Sequence, residues 1–267
     1  HFLALLENRT MGEEMDLDVT LENHVGIVEI KRPPNNHFDY KLISSIADAF
    51  DSFDQDSECR CVVLCSEGKH FCAGANFGKD RDMHDKTDPY SELYIQAVRL
   101  FRNKKPVVAS VQGGAIGGGL GLSLVADFRV GCAESRFSAN FSRLGFHQGF
   151  GTTVTLPRVV GNQNAAMMML TGRRLKGEAA LDIGLIDYLV PLSDVRSRAI
   201  ELAEEISEAG PLAVTSIRST IRAGLADQVE EIVVRELSEQ IRLQSTNDFK
   251  EGISASLERR KPKFSGS

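Results

Sequence analysis

Hydrophobic positions alternate at the start of the chain and then take up a helical period. Leu17-Asp18-Val19-Thr20-Leu21 and Gly26-Ile27-Val28-Glu29-Ile30 have the two-residue period of half-buried strands, and the short polar link at Asn23-His24 predicts a hairpin. Pro33-Pro34-Asn35-Asn36 ends the second strand. Over 40–53, Leu42, Ile43, Ile46, Ala49, Phe50 and Phe53 fall on one side of a predicted helix. Val62-Val63-Leu64 predicts a buried strand, 67–74 a loop, 79–89 a polar segment and about 91–102 a helix. A strand over 107–111, a glycine turn, a helix from about Gly118 and a strand at 128–130 follow. Beyond about residue 148 the period is mainly helical, over 149–160, 165–170, 177–183, 195–209, 211–223, 230–243 and 248–259. The apolar run 185–190 predicts one more strand. No fixed-period repeat or low-complexity linker interrupts the chain. The expected organisation is an N-terminal extension over 1–15, an α/β core over 16–195 and a helical region over 196–267.

Composition narrows the function classes. Of 267 residues, 42% are hydrophobic and 25% charged, which excludes a disordered or collagen-like chain. A net charge of −6, from 31 basic and 37 acidic residues, leaves no basic excess to neutralise nucleic-acid phosphates. Trp is absent and aromatics are 7%, so base-stacking platforms are not expected either. Cys59, Cys61, Cys65, Cys72 and Cys132 are odd in number and mostly crowded together, so buried thiols in a reducing, cytoplasmic setting are expected rather than disulfides. The Cys59-x-Cys61-x3-Cys65 spacing with His70 matches no zinc pattern, and no metal is expected. Phe2 to Leu6 is too short for a signal sequence, and Met11 is a candidate start. Residues 106–126 carry no charge, but Gln112, six glycines and a β-like first half make them a core element rather than a membrane span.

Two glycine-bearing turns carry the candidate chemistry. They are His70-Phe71-Cys72-Ala73-Gly74-Ala75-Asn76 and Gly113-Gly114-Ala115-Ile116-Gly117-Gly118-Gly119. Each follows a β-like run and precedes a predicted helix, where amides have no intrahelical partner. Brought together, two such turns can aim two N–H groups at one developing oxyanion. Neither turn carries a dinucleotide-binding Gly-x-Gly-x-x-Gly in the right setting.

In order and spacing, the chain resembles the crotonase (enoyl-CoA hydratase/isomerase) superfamily. The resemblance rests on Arg32-Pro33-Pro34 with Asn36, Phe71-Cys72-Ala73-Gly74-Ala75 and Lys105-Pro106-Val107-Val108-Ala109. It continues through Gly113, Ala115, Gly117-Gly118-Gly119, Leu122, Asp127, Phe137, Leu144-Gly145, Gly149 and Gly151. Leu170-Thr171-Gly172, Ala179, Gly184-Leu185-Ile186, Glu251-Gly252 and Glu258-Arg259-Arg260-Lys261 to Phe264 complete it. The resemblance implies a crotonase-like α/β spiral of ββα units. It also implies C-terminal helices that close the site and assemble homotrimers or dimers of trimers. An acyl-CoA thioester is the implied substrate, with coenzyme A as its only cofactor-like part and the backbone N–H groups of Ala75 and Gly118 as oxyanion donors. Ala73, Asn76, Phe77, Gly117, Asn140 and Gly149 are the implied substrate-binding positions, and Lys261, beside Arg259 and Arg260, matches a basic tail that approaches CoA phosphates.

Against this pattern, the two glutamates of the hydratases are missing. Their positions hold Gly121 and Phe141, and neither residue can move a proton. Gly121 is expected to free space and Phe141 to make the wall apolar, suiting a bulky or cyclic acyl group. His147 is the first candidate for a replacement acid or base, because a helix starting near 149 would keep its imidazole neutral. Ser138 could orient water, and Asp82, His84, Asp85 and Tyr90 lie in the segment expected to border the acyl pocket. The leading expectation is therefore an acyl-CoA enzyme that stabilises a thioester enolate and acts as an atypical hydratase, an isomerase or a hydrolase. A second is an acyl-CoA-binding protein without turnover. Membrane and nucleic-acid partners are not expected.

Overall fold

The computed structural model describes residues 16–75 and 89–267. The expected extension at 1–15, the candidates Asn76 and Phe77, and Asp82, His84 and Asp85 lie outside the described residues. The predicted hairpin forms from β1 (Leu17–Glu22) and β2 (Val25–Ile30), paired antiparallel from Leu17 opposite Ile30 to Glu22 opposite Val25. Its two turn residues, Asn23 and His24, both adopt positive φ (50° and 67°), the conformation whose twist matches a two-residue hairpin. Asp39 accepts from the Leu42 amide at 2.9 Å and caps α1 (Tyr40–Gln55), whose apolar stripe is buried as the spacing predicts.

The chain continues through β3 (Cys61–Ser66), α2 (Pro89–Phe101), β4 (Val107–Val111), β5 (Gly114–Ile116), α3 (Gly118–Ser123), β6 (Phe128–Gly131) and β7 (Arg136–Ser138). A 3-10 turn at Asn140–Leu144 leads to α4 (Thr152–Thr171), β8 (Arg174–Lys176), α5 (Gly177–Asp182) and β9 (Tyr188–Leu189). The remaining helices are α6 (Val195–Glu208), α7 (Pro211–Ile221), α8 (Leu225–Gln244) and α9 (Asn247–Leu257). A six-stranded sheet runs in the order β1-β2-β3-β4-β6-β9, parallel throughout except for the hairpin. Both faces of its central strands are covered, which accounts for their unbroken apolar runs. Val62, Leu64, Val107 and Ala109 enter the main core, whereas Cys61, Val63, Cys65 and Val108 pack toward Val195, Ala199, Leu202 and Ala203 of α6. All five cysteines are free and buried, and burial pushes the thiols of Cys59 up to about 11 and those of Cys65 and Cys72 to about 12.

A second, three-stranded sheet, β5-β7-β8, is absent from the sequence-based expectations. Its strands are three residues each, too short for any alternation to register. The predicted strand at 185–190 shrinks to Tyr188–Leu189, because Leu185 and Ile186 turn into the main core. The helices expected over 149–160 and 165–170 form the single run α4, broken at Gly161 (φ 79°, ψ 158°). No helix among the described residues is long and apolar enough to cross a membrane.

The helical region is locked to the sheet by Asp127. Its carboxylate accepts from the Val107 amide at 2.8 Å and from Arg218 Nε at 2.8 Å and Arg222 Nη1 at 3.0 Å, both cations being largely buried. Removing it strands two buried cations and an amide. The variant Asp127→Ala is expected to lose about 3 kcal/mol of stability in urea unfolding; a loss under about 1 kcal/mol would show that water screens the cluster.

Candidate active site

The site is built from backbone before side chains. The segment 72–75 is stitched between two others: Cys72 donates its N–H to Gly114 O (2.9 Å) and its carbonyl accepts from Ile116 N–H (3.0 Å). On the opposite side Ala73 donates to Asn35 O (2.9 Å), and Phe38 donates to Gly74 O (3.1 Å). Gly117 N–H bonds Ser138 O at 2.8 Å, tying the same ladder to β7. The buried amide of Asn36 holds the loop in place, donating to the carbonyls of Glu67 (2.8 Å) and His70 (2.6 Å) and accepting from Arg32 N–H (2.9 Å).

Close approach here requires glycine. A Cβ on Gly119 would lie 2.0 Å from Cys72 O, so only glycine lets α3 seat against the strand. Gly74 (φ 85°) adopts a left-handed conformation, and a Cβ placed on it would stand 3.5 Å from Gly118 N, which measures how near the two turns lie. Among the described residues, neither Ala75 N–H nor Gly118 N–H has a hydrogen-bond acceptor. Gly118 is the first residue of α3, where no intrahelical acceptor exists.

A cavity of about 440 Å³ covers these amides, with Ala73, Gly74, Ala75, Gly117 and Gly118 in its wall. One part of the wall is aromatic. Phe38 packs on Phe150 (centroids 5.5 Å apart) and Phe141 on Phe146 (5.3 Å), with Leu93, Ile253 and Leu257 completing the apolar surface. Tyr94, Gln240 and Gly149 interrupt it with polar atoms. Another part is basic, formed by His37, His70, Arg136 and Arg174 beside Asn35. No carboxylate is among the described residues that line the cavity. The backbone sets opposite tautomers on the two imidazoles. His37 Nδ1 lies 3.1 Å from the Gly74 carbonyl, which can only accept, so Nδ1 carries the proton. His70 Nδ1 accepts from Gly114 N–H at 3.0 Å, so in the neutral ring the proton is on Nε2.

Asn140 and Phe141 also line the cavity. Three candidates do not. Gly121 leaves no free space, because a Cβ there would meet the Phe150 side chain at 2.8 Å. Phe150, held at φ 61°, fills the volume that a side chain at 121 would occupy. His147 is off the wall: its Nδ1 lies 3.0 Å from Gln148 O. The helix after it begins at Thr152 rather than 149, and its N-terminal end is already held by Glu236. That carboxylate accepts from Gly151 N–H (2.7 Å), Thr153 N–H (3.1 Å) and Thr153 Oγ1 (2.6 Å), and burial raises its pKa. Lys261 is exposed and away from this cavity, next to an Arg260 that pairs with Glu251 and Glu258.

His37, His70, Tyr94, Arg136, Arg174 and Gln240 went unnoticed as wall residues in the sequence. For Gln240 and Glu236 a signal existed: both continue the buried stripe Val229, Val233 of α8, where polar residues at core positions must have partners.

Burial holds His70 below its ordinary value of 6.5, and Lys69, Arg174 and His37 push the same way. Protonation would break the bond from Gly114, so the folded state binds fewer protons than the unfolded one. The stability this supplies is complete above the ordinary imidazole value and is lost as pH falls through the depressed one. The variant His70→Gln, which accepts the same N–H without titrating, is expected to flatten the stability profile between about pH 7 and 5. An unchanged slope would remove His70 from the pH response.

The sequence profile of the enoyl-CoA hydratase/isomerase family matches residues 20–267. An enoyl-CoA hydratase of Mycobacterium tuberculosis is 31% identical over 261 residues, covering 96% of this chain and 98% of that one. The 1,2-epoxyphenylacetyl-CoA isomerase of Escherichia coli is 28% identical over 255 residues, covering 92% of this chain and 97% of that one. Among solved structures, an enoyl-CoA hydratase/isomerase from Pseudoalteromonas atlantica superposes with a TM-score of 0.85 at 27% identity. It covers 94% of this chain and 100% of that one.

Proposed function

The chain belongs to the enoyl-CoA hydratase/isomerase family and shares its crotonase-like fold, and from that premise we propose that it is an acyl-CoA isomerase working without the hydratase glutamate pair. The observation that carries the reading is the pair of amides, Ala75 N–H and Gly118 N–H, that have no acceptor among the described residues and share the cavity wall. A thioester carbonyl placed between them gains charge on its oxygen when a neighbouring C–H proton leaves. Amides already fixed in position stabilise that enolate without reorganising, and one such donor is worth about 3 kcal/mol. Addition of water asks for more, namely groups that hold the nucleophile and shuttle its protons. The wall offers Phe141 at one glutamate position, and Phe150 closes off the other at Gly121. Moving a double bond needs one group that takes the proton from one carbon and returns it to another, and in the described wall His37, whose Nε2 keeps its lone pair while Nδ1–H donates to Gly74 O, is available to carry it.

The coenzyme A portion falls to the basic part. Among the described residues neither Arg136 nor Arg174 is ion-paired with an acid, and guanidinium forks suit phosphate oxygens. Within this protomer they replace Lys261 as the phosphate-binding groups.

Two measurements test the reading. Incubated with trans-3-hexenoyl-CoA, the protein is expected to yield 2-hexenoyl-CoA with no change in mass. A product heavier by one water would make it a hydratase, and recovery of unchanged thioester would refute isomerisation. The variant Arg174→Ala is expected to bind a CoA thioester about tenfold more weakly while leaving the matching N-acetylcysteamine thioester, which lacks phosphates, unaffected. Equal losses for both would take Arg174 away from the phosphates.

A further inference from the structure

A second cavity, of about 670 Å³, lies at the carboxyl ends of β3 and β4 beside the start of α6. Among the described residues it shares only His70 and Arg136 with the first. Crevices at the carboxyl ends of parallel strands are where open α/β sheets take their ligands. Ser110 reaches this one from β4: Val108 packs toward α6, and Ser110, two residues on, faces the same side. Ser110 is 2% exposed and lines the cavity, and its hydroxyl has no hydrogen-bond partner among the described residues. The serines at neighbouring strand ends differ, since Ser66 Oγ donates to Phe71 O and Ser135 Oγ to Val111 O, both at 2.7 Å. A buried hydroxyl left unmatched is costly, and a ligand in the cavity would match it.

The charge around Ser110 selects the kind of ligand. Lys69, Arg136 and Arg196 line the cavity against one carboxylate, Glu134, among the described residues, in a chain whose net charge is −6. Arg196 is engaged, pairing with Glu29 and donating to Ser66 O at 3.2 Å. Gln112 Nε2 donates to the same carbonyl at 2.7 Å, so that acceptor is already satisfied. Lys69 and Arg136 form no ion pair with a described acid. Arg136 Nη1 is held by the carbonyls of Ala133 and Ser135 at 2.7 Å each, which leaves Nε and Nη2 without acceptors among the described residues. Val195, the first residue of the 14-residue α6, also lines the cavity, and no side chain caps that helix end, so the positive end of its dipole adds to the field. The wall thus offers unmatched donors and positive charge, in a volume usual for small-molecule sites.

We propose that this second cavity binds a phosphate group, as the free ion or on a small phosphomonoester, with Ser110 Oγ donating to one oxygen and Lys69 and Arg136 supplying the countercharge. A phosphate has only acceptors to offer once ionised, which matches a wall whose unused groups donate. A neutral polyol would leave the two cations unpaired. The site is separate from the oxyanion-hole cavity and does not depend on the acyl-CoA reading.

The test is titration calorimetry of wild type, Ser110→Ala, Lys69→Gln and Arg174→Ala with inorganic phosphate, ribose 5-phosphate and ribose. Wild type is expected to bind inorganic phosphate saturably and ribose not at all. Ribose 5-phosphate binding at least as tightly identifies a phosphomonoester as the ligand, whereas inorganic phosphate binding alone identifies the free ion, and either result upholds the site. Ser110→Ala removes a hydroxyl that bonds no described residue, so its thermal midpoint is expected to match wild type while phosphate binds about tenfold more weakly. Lys69→Gln is expected to weaken phosphate about threefold at low salt and to flatten the salt dependence. Arg174, which lines only the first cavity, is expected to have no influence on phosphate. The proposal is overturned if wild type binds neither phosphate ligand, if ribose binds as well as its phosphate, or if Ser110→Ala binds as wild type does. A loss confined to Arg174→Ala would place the ion in the first cavity and overturn it too. Should Ser110→Ala not fold, the exposed Lys69 decides, and an unchanged affinity in Lys69→Gln overturns the proposal.

Discussion

The geometry of the site depends on the two hydrogen bonds that the Cys72 backbone makes to β5, one given to Gly114 and one taken from Ile116. They set the relative height of two turns that are far apart in the chain, and everything after Cys72 and Ile116 inherits that height. Gly74 and Gly117 then bend away with positive φ, which leaves the next amide of each turn without a partner among the described residues. The cost of two unmatched donors is offset by the rest of the ladder, where Asn36, Asn35, Phe38 and Ser138 satisfy the neighbouring groups. A register error at Cys72 would pair the wrong groups and close the pocket.

Around this backbone frame the molecule separates charge from greasiness. The chain as a whole is acidic, yet the described part of the cavity wall carries cations and no carboxylate. Two of the fold's largely buried carboxylates are turned inward: Glu236 faces the start of α4, and Asp127 faces Arg218 and Arg222. Such inward carboxylates bind parts of the fold together, and no carboxylate among the described wall residues stands ready to repel an anionic ligand.

How much of this could be read from the chain depended on the length of the periodic signal. The hairpin, α1, β3 and β4 were legible because each repeats its pattern over five residues or more. The glycine turns at 74 and 117–119 were legible through composition and family resemblance together. The second sheet was not, since three-residue strands carry no period. The errors at single residues have a shared origin in contacts distant along the chain. Gly121 looked like open space until Phe150, nearly thirty residues on, proved to fill it. His147 looked like the residue at a free helix end until Glu236, from α8, proved to hold that end. Tyr94 and Gln240 are 146 positions apart, and neither announces the other.

The ladder that presents Ala75 and Gly118 has one more consequence. Under the proposed function the groups that would hold the reactive oxygen are main chain, whereas those that would meet the acyl chain are a patchwork of side chains drawn from α1's approach, α2, the loop at 146–150, α8 and α9. Inheritance can therefore act on the two halves at different speeds. Drift among Phe38, Phe141 and Phe150 would change the shape of the wall, while the backbone turns tolerate little change where Gly74, Gly118 and Gly119 permit their close approach. A scaffold divided in this way can change its diet without having to reinvent its teeth.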